Sequence, residues 1–213
     1  SKHGYKNLTK LSSLSYLKNN EIDEPACEFN DLISNNEDLI LLTGNYHNFF
    51  GKLFYANKTK DFEKIITSLK IHFKNRLYFE IQRHGEIEEK NFENHLLNFS
   101  KILDIPLIAT QEVFYMSGDM YEAHDALTCI GEKKFVDDNN RFKYSNQHYL
   151  KKNEELSKLY SDIPEALENN YNFHLRFNYK PKKSKPILPS IANDQSSSPE
   201  EELISQAKIG LEN

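Results

Sequence analysis

Three short apolar runs, separated by segments with helical periodicity, constrain the fold of this chain most strongly. They cover residues 39–42, 77–81 and 105–110, and the middle one is rich in aromatic and aliphatic side chains. Continuous apolar runs of this length fit strands that are buried on both faces. Strands that alternate with helices predict a parallel sheet, so the expected fold class is α/β.

Amphipathic segments predict the helices around these strands. The first helix is expected over residues 5–17. The second is expected to be capped by Asp61, because an aspartate side chain accepts hydrogen bonds from a free helix N-terminus. The third is expected to begin near Lys90, where apolar residues recur on one stripe.

Beyond residue 117 the pattern changes to helices and loops. Helices are expected to begin at Asp119 and Asn153, and Pro164 suits the first turn of another. A capping box at residues 198–201 predicts a final helix. The predicted organisation is a folded region over 1–178, a linker rich in Pro, Lys and Ser over 179–198, and a helix over 199–213. Both ends are expected to be cut from a longer chain.

Composition and charge narrow the class of protein. The hydrophobic fraction of 38% supports a packed core, and the net charge of −5 gives no basic footprint for nucleic acid. Two distant cysteines, Cys27 and Cys129, give little support for a disulfide framework. No apolar run approaches the ~20 residues that span a bilayer. We therefore expect a cytoplasmic protein without a membrane partner.

Six phrases, taken together and in order, resemble one family. They are GYKNL at 4–8, LILLTG at 39–44, YFEIQRHG at 78–85, IPLIATQEVFY at 105–115, EAHDALTCI at 122–130 and DIPEAL at 162–167. Any one phrase is weak, but six in the right order are specific. Their spacing is similar to the later part of the PHP domain of bacterial DNA polymerase III α subunits, the replicative C-family polymerases, and to the start of the polymerase segment after it.

The resemblance implies a partial PHP-type βα barrel, followed by a mostly helical segment. In that family the barrel is related to metal-dependent phosphoesterases, and its first histidine motifs precede the GYxNL phrase. The polymerase carboxylates, which use Mg²⁺, follow the region that this chain resembles. The resemblance therefore implies a stretch that neither polymerises DNA nor holds a complete metal cluster, and that has no cofactor of its own.

Two residues at predicted strand ends are candidate metal ligands. Functional groups of parallel βα folds gather at the carboxyl ends of the strands. The resemblance places family ligand motifs at His84 and Glu112, which could form a vestigial zinc or manganese site. The family has a histidine where this chain has Phe114, which cannot coordinate a metal. An alternative for His84 is a solvated loop histidine.

Other polar residues have plainer interpretations. His124 and Asp125 are adjacent on a predicted helix, so their side chains diverge and form no dyad; His124 is expected to pack or to form a hydrogen bond near the barrel rim. An acidic cluster is expected to complement the dipole of the helix that it opens: Glu86, Glu88 and Glu89. Four basic side chains are expected to be solvated in the linker, or to meet DNA phosphates in a larger protein: Lys180, Lys182, Lys183 and Lys185.

Three functions remain open at this point. The resemblance implies a catalytically silent scaffold within a DNA-directed DNA polymerase, which works on DNA with other holoenzyme subunits and binds the separate proofreading exonuclease subunit. The first rival is a metal-dependent PHP phosphoesterase or exonuclease. The second is a plain α/β interaction domain. An open sheet edge also predicts self-association.

Overall fold

The computed structural model describes residues 1–17, 25–183, 185–186 and 198–212. The chain divides into two compact units, Ser1–Tyr179 and Lys180–Asn213. The first unit contains the sheet and the candidate site. Most of the predicted linker over 179–198 lies outside the described residues.

Three parallel strands form the sheet, in the order β1 (Leu41–Leu42), β2 (Leu77–Ile81) and β3 (Leu107–Ala109). All three lie within the predicted apolar runs, and β2 has the predicted bounds. The α/β class and the parallel pairing are thus confirmed. Closure into a barrel stays a prediction, because the described strands form an open sheet.

The helices follow the predicted amphipathic segments and add two short ones, α2 and α3, that the sequence pattern did not reveal. No helix of the described residues is long and apolar enough to cross a membrane. The helices are α1 (Lys2–Leu17), α2 (Phe29–Ser34), α3 (Phe49–Tyr55), α4 (Thr59–Phe73), α5 (Ile87–Leu103), α6 (Tyr121–Glu132), α7 (Asn153–Leu159), α8 (Pro164–Phe173) and α9 (Pro199–Glu212).

Some predicted helix starts need correction. Asp61 is not the N-cap of α4; the Phe62 N–H already donates to the Lys58 carbonyl, so Asp61 lies in the first turn. Helix α5 begins three residues before Lys90, and Asp119 lies in a 3₁₀ turn that leads into α6.

Other predicted helix starts are confirmed. Asn153 begins α7, and Pro164 occupies the first turn of α8. The capping box that opens α9 has formed: the Ser198 N–H donates to Glu201 Oε2, and the Glu201 N–H donates to Ser198 Oγ.

The core is one apolar cluster that joins β2 to the helices around it. Leu77 and Phe79 of β2 are fully buried, and Ile81 is 1% exposed. The largest contributions come from α4, β2, α5 and the region around α8: Phe62, Ile66, Leu69, Phe73, Leu77, Phe79, Ile81, Phe92, Leu96, Phe99, Tyr160, Ile163 and Ala166.

Two asparagines of α8 protect the outer edge of β3. The Asn169 side-chain amide donates to the Leu107 carbonyl at 2.8 Å, and the Asn170 amide donates to the Ala109 carbonyl at 2.5 Å. These bonds satisfy carbonyl groups that an edge strand would otherwise offer to another chain. The self-association expected from an open edge stays a prediction, and it now applies to β1 rather than β3.

Arg83, two residues after β2, ties the sheet to the helices. Its guanidinium group uses all five N–H donors: two bonds of 2.9 and 2.5 Å to the Glu93 carboxylate, two of 2.7 and 2.8 Å to Asp162, and one of 2.5 Å to the Leu159 carbonyl. It also lies 4.9 Å from the ring centre of Tyr160. Bidentate charged pairs of this kind are geometrically specific, so Arg83 fixes the connection between α7 and α8 against α5.

We predict that Arg83→Met lowers the free energy of unfolding by about 3 kcal/mol, because it leaves the Glu93 carboxylate, whose side chain is 11% exposed, without its counter-charge. Urea unfolding followed by circular dichroism measures the change. Lys90→Met on the exposed side of α5 is the control and should stay within about 0.5 kcal/mol. Equal unfolding midpoints for the two variants would contradict the assigned role.

The His95 ring of α5 packs among three phenylalanine rings. Its ring centre is 4.7 Å from each of the ring centres of Phe54, Phe62 and Phe99. Its buried Nε2 has no hydrogen-bond partner among the described residues. Burial lowers the pKa of His95 below its ordinary value, because the charged form cannot be solvated there.

We predict that His95 makes the folded state less stable at acidic pH. A histidine pKa that is lowered in the folded state gives stability that is complete above about pH 6.5 and is lost as the pH falls below it. His95→Phe should therefore show a smaller drop in Tm between pH 7.5 and pH 5.5 than the native chain. His72→Gln, at an exposed position of α4, is the control. An unchanged drop in His95→Phe would refute the prediction.

Candidate functional site

The carboxyl ends of the three strands meet in a polar network around Glu80. Its carboxylate accepts hydrogen bonds from the Gly44 N–H at 3.1 Å, the Thr110 hydroxyl at 2.5 Å and the Gln82 amide at 3.1 Å. The Asn45 amide donates in turn to Gln82 Oε1 at 3.0 Å. The expected gathering of polar groups at these strand ends is confirmed. No sequence pattern singled out Glu80, because it lies inside an apolar strand.

His84, the first candidate ligand, is buried and fully hydrogen-bonded. Its side chain is 3% exposed, so the solvated-loop interpretation is wrong. Nδ1 lies 2.6 Å from Glu89 Oε1, and Nε2 faces the Glu112 backbone N–H at 3.3 Å. Because that N–H can only donate, Nε2 must be the unprotonated nitrogen and Nδ1 carries the proton. Gly85 follows with a φ of +85°, a conformation that favours glycine, and turns the chain from β2 towards α5.

Glu89 is the partner that the sequence did not single out from its acidic cluster. It lies in the first turn of α5 and is 7% exposed, whereas Glu88 beside it is exposed. Its carboxylate accepts three bonds: from the His84 ring, from the His84 backbone N–H at 2.6 Å and from the Glu86 N–H at 3.2 Å. Burial alone would raise the pKa of Glu89, but these bonds hold it below its ordinary value.

His148 is the second residue that sequence reasoning missed. The Phe114 N–H donates to the His148 carbonyl at 2.9 Å, and the Ser145 hydroxyl donates to the His84 carbonyl at 2.7 Å. These bonds place the His148 ring on the His84 ring, with centres 4.0 Å apart and planes inclined by 3°. A separation of 64 residues and the absence of a motif around His148 left no signal for this contact.

His148 is neutral in this arrangement. Its Nδ1 lies 3.1 Å from the Glu112 carbonyl and therefore carries the proton. Its Nε2 is buried and has no hydrogen-bond partner among the described residues. Burial, and then the neighbouring His84, lower the pKa of His148 to about 4.

Phe114 extends the pair of histidines into a stack of four rings. Its ring centre lies 5.0 Å from His148 on one side and 5.0 Å from His124 on the other, with planes inclined by 23° and 6°. The Tyr144 ring packs beside Phe114 at 4.6 Å. We call the rings of His84, His148, Phe114 and His124 the ring stack.

His124 packs beside the strand ends, as predicted, and forms no dyad with Asp125. The Asp125 carboxylate instead accepts two hydrogen bonds, of 2.6 and 2.5 Å, from Arg141. This pair anchors the loop after α6. The four linker lysines are exposed, and contact with DNA stays a prediction.

Glu112, the second candidate ligand, acts through its backbone. Its N–H and its carbonyl bond the rings of His84 and His148, whereas its side chain is 41% exposed. The nearest Glu112 carboxylate oxygen lies 3.9 Å from His148 Nδ1.

These residues do not fit a zinc or manganese ion. Both ring nitrogens of His84 are engaged, and Phe114 offers no ligand atom. Within residues 1–17, 25–183, 185–186 and 198–212, no three His, Cys, Asp or Glu side chains are grouped so that they could hold a metal ion. The metal role of His84 and Glu112 therefore stays a prediction that the geometry does not favour.

Comparison with known proteins shows which sequences this chain is similar to. The PHP domain family matches residues 1–84. The DNA polymerase III subunit alpha of Caulobacter vibrioides is 36% identical over 208 residues, that of Rickettsia bellii 36% over 212, and that of Escherichia coli 30% over 210. Each alignment covers 98% of this chain.

The chain is homologous to one segment of bacterial DNA polymerase III α subunits. It spans about 18% of the length of these relatives. The resemblance drawn from the six phrases is confirmed. The PHP match ends at His84, so Glu89, Phe114 and His148 all lie in the part of the chain that only the polymerase relatives cover.

We predict that two glutamates of this site differ sharply in their contribution to stability. Glu89→Gln should lower the free energy of unfolding by about 2 kcal/mol, because the buried bonds from His84 and Glu86 lose their charged acceptor. Glu112→Gln is the matched control and should stay within about 0.5 kcal/mol, because the backbone of Glu112 makes the contacts. Chemical denaturation of both variants tests this, and a larger loss in Glu112→Gln would reverse the assignment.

Proposed function

We propose that this chain is a catalytically silent PHP scaffold within the α subunit of a replicative DNA polymerase III. The parent protein carries out template-directed DNA synthesis in the cytoplasm, with Mg²⁺ at a polymerase site outside this segment. The similarity over 98% of the chain supports the parent's identity. The observation that carries the silent role is Phe114, which stacks between the His148 and His124 rings where the resemblance places a family ligand.

The rival proposal, a metal-dependent phosphoesterase or exonuclease, requires several ligands and an open position for water at one centre. His84 is engaged on both nitrogens, and the Glu112 side chain turns towards solvent. The arrangement therefore favours the scaffold over the enzyme.

The proposed partner of the scaffold is the proofreading exonuclease subunit, together with other subunits of the holoenzyme and DNA in the full-length protein. Helix α6 supports a protein-binding role. Leu127 and Ile130 are 64% and 74% exposed on one face, and Met120 continues that face at helical spacing. Cys129, on the opposite face, is buried. Exposed apolar stripes of this kind are typical of surfaces that a partner covers.

We predict that the 213-residue chain binds the proofreading subunit in isothermal titration calorimetry. Leu127→Glu should weaken binding at least tenfold, because it places a charge in the apolar contact. Leu175→Glu is the control, since Leu175 is 71% exposed outside α6. Failure of the native chain to bind, where the full-length subunit binds, would overturn the scaffold proposal; equal binding by both variants would move the contact away from α6.

A further inference from the structure

We infer that His84 and Glu89 form a hydrogen-bonded latch, which closes the carboxyl ends of the strands where the PHP resemblance implies a metal ion. The inference rests on the proposed silent scaffold and gives its site a positive role. The His84–Glu89 latch holds separate chain segments together and leaves no ligand atom of His84 for a metal.

The lone pair of His84 is already used by a hydrogen bond. A histidine binds a metal through an unprotonated ring nitrogen. In metal sites the other nitrogen commonly donates to a carboxylate, as Nδ1 of His84 does to Glu89. Here, however, the unprotonated Nε2 accepts a hydrogen bond from the Glu112 backbone N–H. A metal ion on Nε2 would have to lie where that N–H hydrogen lies, so the bond and the metal exclude each other.

The one buried carboxylate of the latch is already fully engaged. Anionic ligands offset the charge of a divalent ion in a buried site, and the buried anion here is Glu89. Its carboxylate already accepts three N–H donors, two from His84 and one from Glu86. Two other carboxylates lie nearby: that of Glu112, whose side chain is 41% exposed, and that of Glu86, which accepts a hydrogen bond from the Tyr46 hydroxyl.

Aromatic rings fill the space beside the latch. The rings of His148, Phe114 and Tyr144 pack in succession against His84 and one another. Two buried ring nitrogens of the stack have no hydrogen-bond partner among the described residues, Nε2 of His148 and Nδ1 of His124, and together they fall short of the four ligands that structural zinc takes. The ring stack thus replaces a coordination sphere by close-packed aromatic faces.

His84 also connects the latch to segments that are distant in sequence. The His84 backbone N–H and ring bind Glu89 of α5, its Nε2 meets Glu112 after β3, and its carbonyl accepts the Ser145 hydroxyl. Three segments therefore contact His84, which directly follows Arg83: α5, the segment after β3 and the loop that contains Ser145. A metal ion bound by residues from several strand ends would hold the same segments, so the latch is a substitute for that structural role.

The test measures metal binding and the state of the His84 ring in the untagged 213-residue chain. Equilibrium dialysis against Zn²⁺ or Mn²⁺ and elemental analysis should give well under one ion per chain, and Tm should not change with either metal. Long-range ¹H–¹⁵N spectra should show His84 protonated on Nδ1, with the same Nε2 shift in zinc as in EDTA. Glu89→Gln should change that His84 spectrum without gain of metal.

Phe114→His is the decisive variant, because it restores the ligand type of the family. We expect it to bind no more zinc than the native chain, since the His84 lone pair remains engaged. Stoichiometric zinc in the native chain, or in Phe114→His alone, would overturn the latch. Zinc uptake without phosphoesterase activity would overturn the latch and leave the silent scaffold standing, whereas zinc-dependent hydrolysis of a phosphodiester by the native chain would overturn both.

Discussion

The hydrogen bonding of the Arg83 guanidinium is the interaction on which the arrangement of this chain depends. Arg83 leaves β2 at the end of the sheet and binds Glu93 of α5 and Asp162 before α8. It also lies over the ring of Tyr160, whose hydroxyl donates to the Ile81 carbonyl at 3.3 Å. The Arg83 side chain therefore positions both α5 and the connection between α7 and α8 against the end of β2. Since His84 is the next residue, the position of the site follows from the same interaction.

The sequence predicted the sheet well because its signal is local. Each strand is an apolar run that is bounded by polar residues, and burial of β2 on both faces makes such a run necessary. Longer helices were equally visible through their stripes. Helices α2 and α3 have six and seven residues, too few for a stripe to repeat, and they were not predicted; α7, which also has seven residues, was predicted from Asn153 as a helix start. Asp61 failed as a cap because the backbone bond from Phe62 to Lys58 starts the helix earlier.

The site was only partly predictable because its contacts are not local. The topology of parallel strands placed His84 and Glu112 at one edge, and the structure brings them into contact. It could not reveal that Glu112 contributes its backbone, since a sequence suggests side-chain roles first. Glu89 was visible only as one of three acids that open a helix. His148 reaches the site through a loop whose path depends on the Arg141–Asp125 pair, an interaction between residues 16 apart.

The neutral state of His148 lets its ring stack on His84 beside the buried carboxylate of Glu89. Two stacked histidine rings 4.0 Å apart would repel each other if both carried a proton charge. The pKa of His148, lowered to about 4, keeps that ring uncharged at neutral pH. Glu89 then needs no cation, because three N–H groups stabilise its charge locally. An apolar ring at position 114 suits this balance, since it fills space beside His148 without adding a group that must be protonated, solvated or coordinated.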